Sequence, residues 1–147
     1  KTDSSKLHEV FANFNLTAGK IIEGQHLDID FETRMDVGED EYIKMISYKT
    51  SVLLAESLRI GSIVGNASDE NKELIYNFGL NLGLSFQIKD DWLDAFGSGE
   101  KFGKKIGGDI VQNKKTMLFV KAWELADAKA KERIKSLMDE KDEDLKI

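Results

Sequence analysis

The most informative stretch of the sequence contains nine residues: Phe86-Gln87-Ile88-Lys89-Asp90-Asp91-Trp92-Leu93-Asp94. Its apolar residues recur at the spacing of one face of an α-helix. Asp90 and Asp94 are four positions apart, so on a helix they lie one turn apart on the same face. We therefore expect a mostly buried helix that carries several carboxylates close together.

Three carboxylates this close, those of Asp90, Asp91 and Asp94, repel one another. A solvated helix face tolerates them, and so does a divalent cation that neutralises them. Mg²⁺ prefers oxygen ligands and commonly bridges one or two carboxylates to substrate phosphates. Gln87 lies one turn before Asp91, where it is placed to hydrogen-bond a phosphate oxygen or a bound water. The residues alone leave both interpretations open, a solvated acidic face and a magnesium site.

Helical spacing extends over most of the chain, and no segment shows the two-residue alternation of a β-strand. The periodicity predicts helices over residues 6–32, 40–64, 69–96, 115–125 and 127–145, with loops at 33–40 and 97–113. Asp40 and Ser68 are the candidate N-caps of the second and third helices. Proline is absent, which favours long uninterrupted helices. The predicted fold class is all-α.

Two glycines, Gly79 and Gly83, lie four residues apart inside the predicted third long helix. Each costs up to about 1 kcal/mol relative to alanine in a helix interior. A compensating reason is therefore expected, and we predict that another helix packs closely against this face.

Three further segments carry weaker signals. The segment Gly103-Lys104-Lys105-Ile106-Gly107-Gly108-Asp109, followed by Asn113-Lys114-Lys115-Thr116, combines glycines that allow close backbone approach with lysines that attract phosphate. It lacks the order of a Walker loop, and by itself it also fits a flexible linker. Lys49-Thr50 inside a helix and Gly24-Gln25-His26-Leu27-Asp28 would each be unremarkable alone.

Composition limits the classes of partner. The formal net charge is -6, which does not favour nucleic-acid binding. Cysteine is absent, so the sequence predicts neither a disulfide framework nor a thiolate metal site, in keeping with a cytoplasmic protein. We find no signal peptide and no apolar run of membrane-spanning length. The chain starts at Lys1 and stops in a charged, helix-like run, which suggests a piece of a longer protein.

Taken in order, these segments resemble the trans-polyprenyl diphosphate synthase family, which includes farnesyl and geranylgeranyl diphosphate synthases. The resemblance covers residues 17–125 and rests on four motifs in family order. The matching residues are Gly24, Gln25, Leu27, Asp28, Lys49, Thr50, Phe86, Gln87, Asp90, Asp91, Asp94, Gly103, Lys104, Gly107 or Gly108, Asp109 and Lys114.

The resemblance implies a helical bundle of the isoprenoid synthase type and a magnesium-assisted condensation of isopentenyl diphosphate with an allylic diphosphate. It implies that Asp90 and Asp94 hold Mg²⁺ and that Asp91 supports them. The implied catalytic residues are Lys49, Thr50 and Gln87. The implied diphosphate-binding residues are Lys49, Gln87, Lys104, Lys105 and Lys114, with the register of Lys104 and Lys105 left open.

The family's first aspartate-rich motif and the residues that set product length are not in this sequence. We therefore expect residues 1–147 to be the C-terminal part of a single isoprenoid synthase domain, inactive alone and homodimeric when full length. One alternative is a non-catalytic regulatory or structural subunit of the same fold. A terpene cyclase is disfavoured, because its second motif usually carries Asn, Ser and Glu instead of three aspartates.

Overall fold

The computed structural model describes residues 3–97 and 106–140 of the chain. All regular structure in these residues is helical, which confirms the all-α prediction. A 3₁₀ turn at Ser4–Lys6 precedes the helices. In chain order these are α1 (Leu7–Glu32), α2 (Glu39–Ile46), a π-helical turn (Ser47–Ser51), α3 (Val52–Val64), α4 (Asp69–Phe96), α5 (Gly108–Val111), α6 (Met117–Leu125) and α7 (Ala128–Met138).

The long helices α1 and α4 have the predicted bounds to within one residue. Ser68 caps α4 as expected, since its hydroxyl accepts a hydrogen bond from the amide of Asn71 at 3.3 Å. Within residues 3–97 and 106–140, none of the helices combines the length and apolar character that crossing a bilayer requires.

Two predictions about the second helix were wrong. The segment 40–64 is not one α-helix, because the π-helical turn separates α2 from α3. Asp40 does not cap it either. The carbonyl of Gly38 accepts the amide of Tyr42 at 3.0 Å, and the Glu41 carboxylate reaches back to the amide of Gly38 at 3.4 Å. Gly38 therefore occupies the N-cap position and Asp40 lies in the first turn.

The predictions for the last third of the chain were partly wrong. The expected loop at 97–113 contains the short helix α5, which begins after Gly107 in the left-handed conformation with φ 78°. The final helix ends at Met138, before the predicted position 145. Residues 98–105 and 141–147 lie outside the described residues.

The chain divides into two compact units. The first unit comprises Lys1–Leu27 and Ile43–Gln87, and the second comprises Asp28–Tyr42 and Ile88–Ile147. The core of the first unit includes Ile46, Val52, Ala55 and Ile63, all at least 98% buried.

Helices pack backbone against backbone in the first unit, and glycines make this possible. A Cβ atom added to Gly79 would lie 2.7 Å from Cα of Ala55, and one added to Gly83 would lie 2.5 Å from Cα of Ser51. A Cβ on Gly24 of α1 would meet the backbone of the π-helical turn, 2.8 Å from Cα of Lys49. The predicted close packing at Gly79 and Gly83 is confirmed.

The second unit has a compact core and a braced connection between α1 and α2. Phe31, Val37, Tyr42 and Val120 are almost fully buried. Around this core, the guanidinium of Arg34 donates to both carboxylate oxygens of Glu41, at 2.8 and 3.1 Å, and to Asp36 at 2.9 Å. These bonds fix the turn that leads into α2.

Aromatic rings in the second unit are covered by lysines. Trp123 stacks on Phe119 with a centroid distance of 6.2 Å, and the ammonium groups of Lys131 and Lys135 lie 5.3 and 5.8 Å from its ring. Trp92 has the ammonium of Lys89 at 3.9 Å from its ring centroid. Each arrangement is within cation–π range.

One face of α4 in the first unit exposes apolar side chains in a row. Leu74, Phe78, Leu82 and Phe86 follow one another at four-residue intervals, and each is 47–63% exposed. A row of this kind on a helix is typical of a surface that packs against other apolar groups.

We predict that Gly79→Ala lowers the free energy of unfolding by about 1–3 kcal/mol, because the added methyl group collides with the backbone at Ala55. Gly61→Ala is the matched control, since a Cβ there meets nothing within 4 Å. It should raise stability by up to about 1 kcal/mol through helix propensity. Urea denaturation of both variants tests this, and equal effects would contradict the packing argument.

Candidate active site

In the first unit, the π-helical turn carries Lys49 and Thr50. The hydroxyl of Thr50 donates a hydrogen bond to Oε1 of Gln87 on α4, at 3.0 Å. π-Helical turns occur often at functional sites, because the extra residue redirects neighbouring side chains. The structure thus brings together Thr50 and Gln87, two of the three residues with expected catalytic roles. The third, Lys49, precedes Thr50 in the π-helical turn.

An apolar groove of about 540 Å³ begins at Thr50 in the first unit. Its walls are side chains of α3 and α4, and its lining consists of Thr50, Leu53, Leu54, Ser57, Leu82, Gly83 and Phe86. The polar Thr50–Gln87 pair thus adjoins a largely hydrocarbon surface. An amphiphilic molecule with a polar head and an apolar tail matches this arrangement.

In the second unit, Asp91 is a buried carboxylate with only 4% exposure. Its Oδ2 atom accepts the hydroxyl of Tyr42 at 2.6 Å and the amide of Met117 at 3.2 Å. Met117 is the first residue of α6, so the carboxylate lies at the positive end of that helix. The pKa of Tyr42 is raised well above its ordinary value by burial, and then by its hydrogen bond to Asp91.

Asp94 is held by the backbone that begins α5. Its Oδ2 atom accepts the amide of Asp109 at 2.9 Å, and its carbonyl accepts the amide of Gly107 at 2.8 Å. Gly107 and Gly108, singled out in the sequence as sites of close backbone approach, thus lie beside a motif carboxylate. Gly107 enters α5 in the left-handed conformation, and the amides of Gly107 and Asp109 both reach Asp94.

Negative charge is concentrated around Asp109. Burial, followed in order by the charges of Asp94, Asp91 and Asp90, raises the pKa of Asp109 to about 6. A cavity of about 380 Å³ in the second unit has Asp91, Asp94, Asp109 and Lys114 among its lining residues, and most of its remaining wall is apolar.

Lys114 and Lys115 hold the C-terminal end of α1. The ammonium of Lys114 forms ion pairs with Asp28 at 2.7 Å and Glu32 at 2.6 Å. Burial alone would lower the pKa of Lys114, but the hydrogen bonds to these two carboxylates outweigh it and raise the pKa. Lys115 is buried, and its ammonium donates to the carbonyls of Glu32 at 3.2 Å and Asn113 at 2.8 Å.

The donor set of the second unit suits Mg²⁺ chemically. It offers carboxylate oxygens, and the repulsion that raises the pKa of Asp109 is one that a divalent cation would relieve. Among residues 3–97 and 106–140, however, no three acidic or imidazole side chains converge into a complete metal site. Because Mg²⁺ keeps several waters and needs only one or two carboxylates, the residues fit the ion. The assignment of Asp90, Asp91 and Asp94 as its ligands stays a prediction.

The expected site residues fall into two groups. Lys49, Thr50 and Gln87 belong to the first unit, whereas Asp90, Asp91, Asp94 and Lys114 belong to the second. Lys104 and Lys105 lie outside the described residues, so their role in binding diphosphate stays a prediction.

Sequence reasoning missed two residues of this region, namely Tyr42 and Glu32, and it gave Lys115 no role separate from the rest of its lysine-rich segment. Tyr42 and Asp91 are 49 positions apart, and nothing in the spacing of either links the two. Glu32 lies four residues after Asp28, so the helical spacing of two acids near the end of α1 was an available signal.

Comparison with known proteins agrees with these motifs. The family model for polyprenyl synthetase matches residues 2–147. A short chain isoprenyl diphosphate synthase of Methanothermobacter thermautotrophicus is 41% identical over 97% of this chain and 44% of its own length. A geranylgeranyl diphosphate synthase of Saccharolobus solfataricus is 42% identical over 81% of this chain and 36% of its own.

Solved structures give the same result for the fold. The crystal structure of a geranylgeranyl pyrophosphate synthetase from Pyrococcus horikoshii Ot3 superimposes with a TM-score of 0.86 at 34% identity, over 93% of this chain and 42% of that one. A decaprenyl diphosphate synthase from Rhodobacter capsulatus gives 0.85 at 31% identity, over 94% and 43%.

The fold is therefore that of the all-α isoprenoid synthases. The chain belongs to the polyprenyl synthetase family. It spans less than half the length of the curated relatives that it matches.

We predict that Lys114→Met destabilises the protein by about 2 kcal/mol, because it removes the ammonium that pairs with the buried carboxylate of Asp28 and with Glu32. Adding Asp28→Asn to this variant should recover part of the loss. Lys129→Met, at an exposed lysine of α7, controls for the removal of one positive charge. Urea denaturation provides the measurement, and unchanged stability of Lys114→Met would exclude a contribution from the ion pairs.

A pH dependence follows from Lys115, whose pKa burial lowers to about 8, with Glu32 opposing the shift. The folded protein loses this proton at a lower pH than the unfolded chain. Stability should therefore rise as the pH increases from 8 toward 10, because the unfolded state then binds more protons. Relative to Lys115→Met, we expect a gain on the order of 1–2 kcal/mol between pH 7 and 10. Parallel stability curves for the two proteins would contradict this prediction.

Proposed function

We propose that this chain is part of a trans-prenyltransferase that condenses isopentenyl diphosphate with an allylic diphosphate. The observation that carries the proposal is the Thr50–Gln87 pair at the start of the apolar groove in the first unit. An isoprenyl diphosphate has the matching form, with an anionic head and a hydrocarbon tail. The named relatives, which are isoprenyl and geranylgeranyl diphosphate synthases, support this substrate class.

In the proposed reaction, the carbon–oxygen bond of the allylic diphosphate breaks and leaves an allylic cation and pyrophosphate. The double bond of isopentenyl diphosphate attacks the cation and forms a carbon–carbon bond. Loss of a proton then gives a diphosphate that is one isoprene unit longer. The protein must stabilise the departing negative charge and keep water away from the cation.

Each group of residues has a task in this scheme. Lys49 and Gln87 contact the diphosphate, and Thr50 presents its polar atoms near the developing cation. Leu53, Leu54, Leu82 and Phe86 cover the hydrocarbon tail and exclude water. Asp90 and Asp94 are the residues that would hold Mg²⁺, with Asp91 in support. Mg²⁺, when bound, supplies positive charge to the leaving diphosphate.

Three further parts of the proposal rest on the family and on the sequence. The 147 residues form the C-terminal part of one synthase domain and are inactive by themselves. The complete protein is a homodimer. It works in the cytoplasm, in keeping with the absence of cysteine.

The test measures incorporation of labelled isopentenyl diphosphate into longer products by the full-length protein that carries this chain. We expect activity that requires Mg²⁺ and is abolished by EDTA. Asp90→Asn should lower kcat by at least about 100-fold. Without the carboxylate of Asp90 the site would hold Mg²⁺ less tightly, and less positive charge would offset that of the departing pyrophosphate. Asp40→Asn, at an exposed acid in the first turn of α2, is the matched control and should retain wild-type activity.

The outcomes separate the competing interpretations. Elongation by the full-length protein but not by the 147-residue chain supports the proposal. No elongation of any allylic diphosphate by the full-length protein would favour a non-catalytic subunit of the same fold. Equal activity of Asp90→Asn and wild type would remove Asp90 from the proposed site.

A further inference from the structure

Asp91 differs from its two neighbours in the aspartate-rich motif. On α4, Asp90 and Asp94 share a face, whereas Asp91 is rotated from Asp90 by roughly 100°. Asp90 and Asp94 are partly exposed, and Asp91 is 4% exposed. The three carboxylates therefore occupy two environments, one partly exposed and one buried.

One oxygen of Asp91 receives hydrogen bonds from two other helices. The hydroxyl of Tyr42 on α2 donates to Oδ2 at 2.6 Å, and the amide of Met117 at the start of α6 donates to the same atom at 3.2 Å. A short hydrogen bond to an ionised carboxylate is among the stronger ones in proteins. This oxygen is engaged by donors of the protein itself, which makes it a poor candidate for a metal ligand.

The hydroxyl of Tyr42 has a specific partner because the residue is buried. Tyr42 is 1% exposed, so its ring lies in the core of the second unit while its polar end reaches Asp91. A buried hydroxyl requires such a partner, and a phenylalanine would fill the same space without it. The hydroxyl therefore contributes something other than packing.

We propose that Tyr42 is a positioning residue that fixes Asp91 as an anchor of α4, so that Asp90 and Asp94 are presented to Mg²⁺ and Asp91 is not a ligand. The inference rests on the proposed function. Tyr42 touches neither substrate nor metal and acts through Asp91. It sets the rotation of α4 about its axis at the motif, in the way that hydrogen bonds behind a metal site orient its ligands.

The first experiment titrates Mg²⁺ into the full-length protein and its Tyr42→Phe variant, by calorimetry with pyrophosphate present and, separately, through the initial rate. Removal of the hydroxyl should raise the half-saturating Mg²⁺ concentration about tenfold, as is common for residues that orient metal ligands. The KM for isopentenyl diphosphate at saturating Mg²⁺ should change much less. Tyr76→Phe is the matched control, because Tyr76 lies in the first unit with its ring against Arg59.

A second pair of variants tests whether Asp91 is an anchor or a ligand. Asparagine at position 91 keeps an oxygen that accepts from Tyr42 and Met117, whereas alanine keeps none. We expect Asp91→Asn to raise the half-saturating Mg²⁺ concentration much less than Asp90→Asn does, and Asp91→Ala to raise it at least as much as Tyr42→Phe. Circular dichroism melting of each variant identifies any that fail to fold, and Asp91→Asn remains informative if Asp91→Ala unfolds.

The results distinguish this inference from the proposed function. A wild-type protein that elongates no substrate overturns both. An active wild type whose Mg²⁺ dependence is unchanged in Tyr42→Phe overturns the positioning role alone. A loss in Asp91→Asn as severe as that in Asp90→Asn shows that Asp91 is itself a ligand, and this also overturns the inference.

Discussion

Backbone contact at three glycines is the constraint on which the arrangement of the first unit depends. Gly24 of α1 lies against Lys49, Gly83 of α4 lies against Ser51, and Gly79 lies against Ala55. The π-helical turn is thus in contact with α1 and with α4, at distances that exclude any side chain larger than hydrogen. Thr50 meets Gln87 because the backbones around them are this close. Glycines that weaken their own helices are therefore explained by close backbone packing against the π-helical turn and against α3.

The main constraint in the second unit is different. Several charged side chains lie close together in partly buried surroundings, and each needs a partner that stabilises it. Asp91 is stabilised by a phenol and by a helix amide, whereas Asp28 is stabilised by the ammonium of Lys114. Burial, and then repulsion from Asp94, Asp91 and Asp90, raises the pKa of Asp109. Several carboxylates kept this close together are suited to attract a divalent ion.

Much of the fold could be predicted from sequence, and the failures have physical reasons. The bounds of α1 and α4 follow from long apolar periodicity and from the Ser68 cap. The π-helical turn could not be foreseen, because it lies inside a continuous helical periodicity and the glycines that it contacts, Gly24 and Gly83, are distant in sequence. Helix α5 is only four residues long and depends on the left-handed Gly107, so it leaves no periodic signal.

The same contrast applies to the site. Spacing identified Asp90, Asp91 and Asp94 as a group, because i and i+4 relations are local. Spacing also placed Asp91 off the face that Asp90 and Asp94 share, but it could not reveal the partner of Asp91, since Tyr42 is distant in sequence and adjacent in space. The residue types predicted which side chains can interact with a cation or an anion. Only the tertiary structure showed where each of these side chains lies.

The positions of the aromatic rings have a practical consequence. Both tryptophans of the chain, Trp92 and Trp123, belong to the second unit, and each lies beneath lysine ammonium groups. Intrinsic fluorescence excited at the indole band therefore observes the surroundings of α4, α6 and α7 in that unit. Far-ultraviolet dichroism observes the helices of both units. When the two signals are recorded on one sample, a difference between their transition temperatures reports directly whether the two halves of this chain lose their structure together.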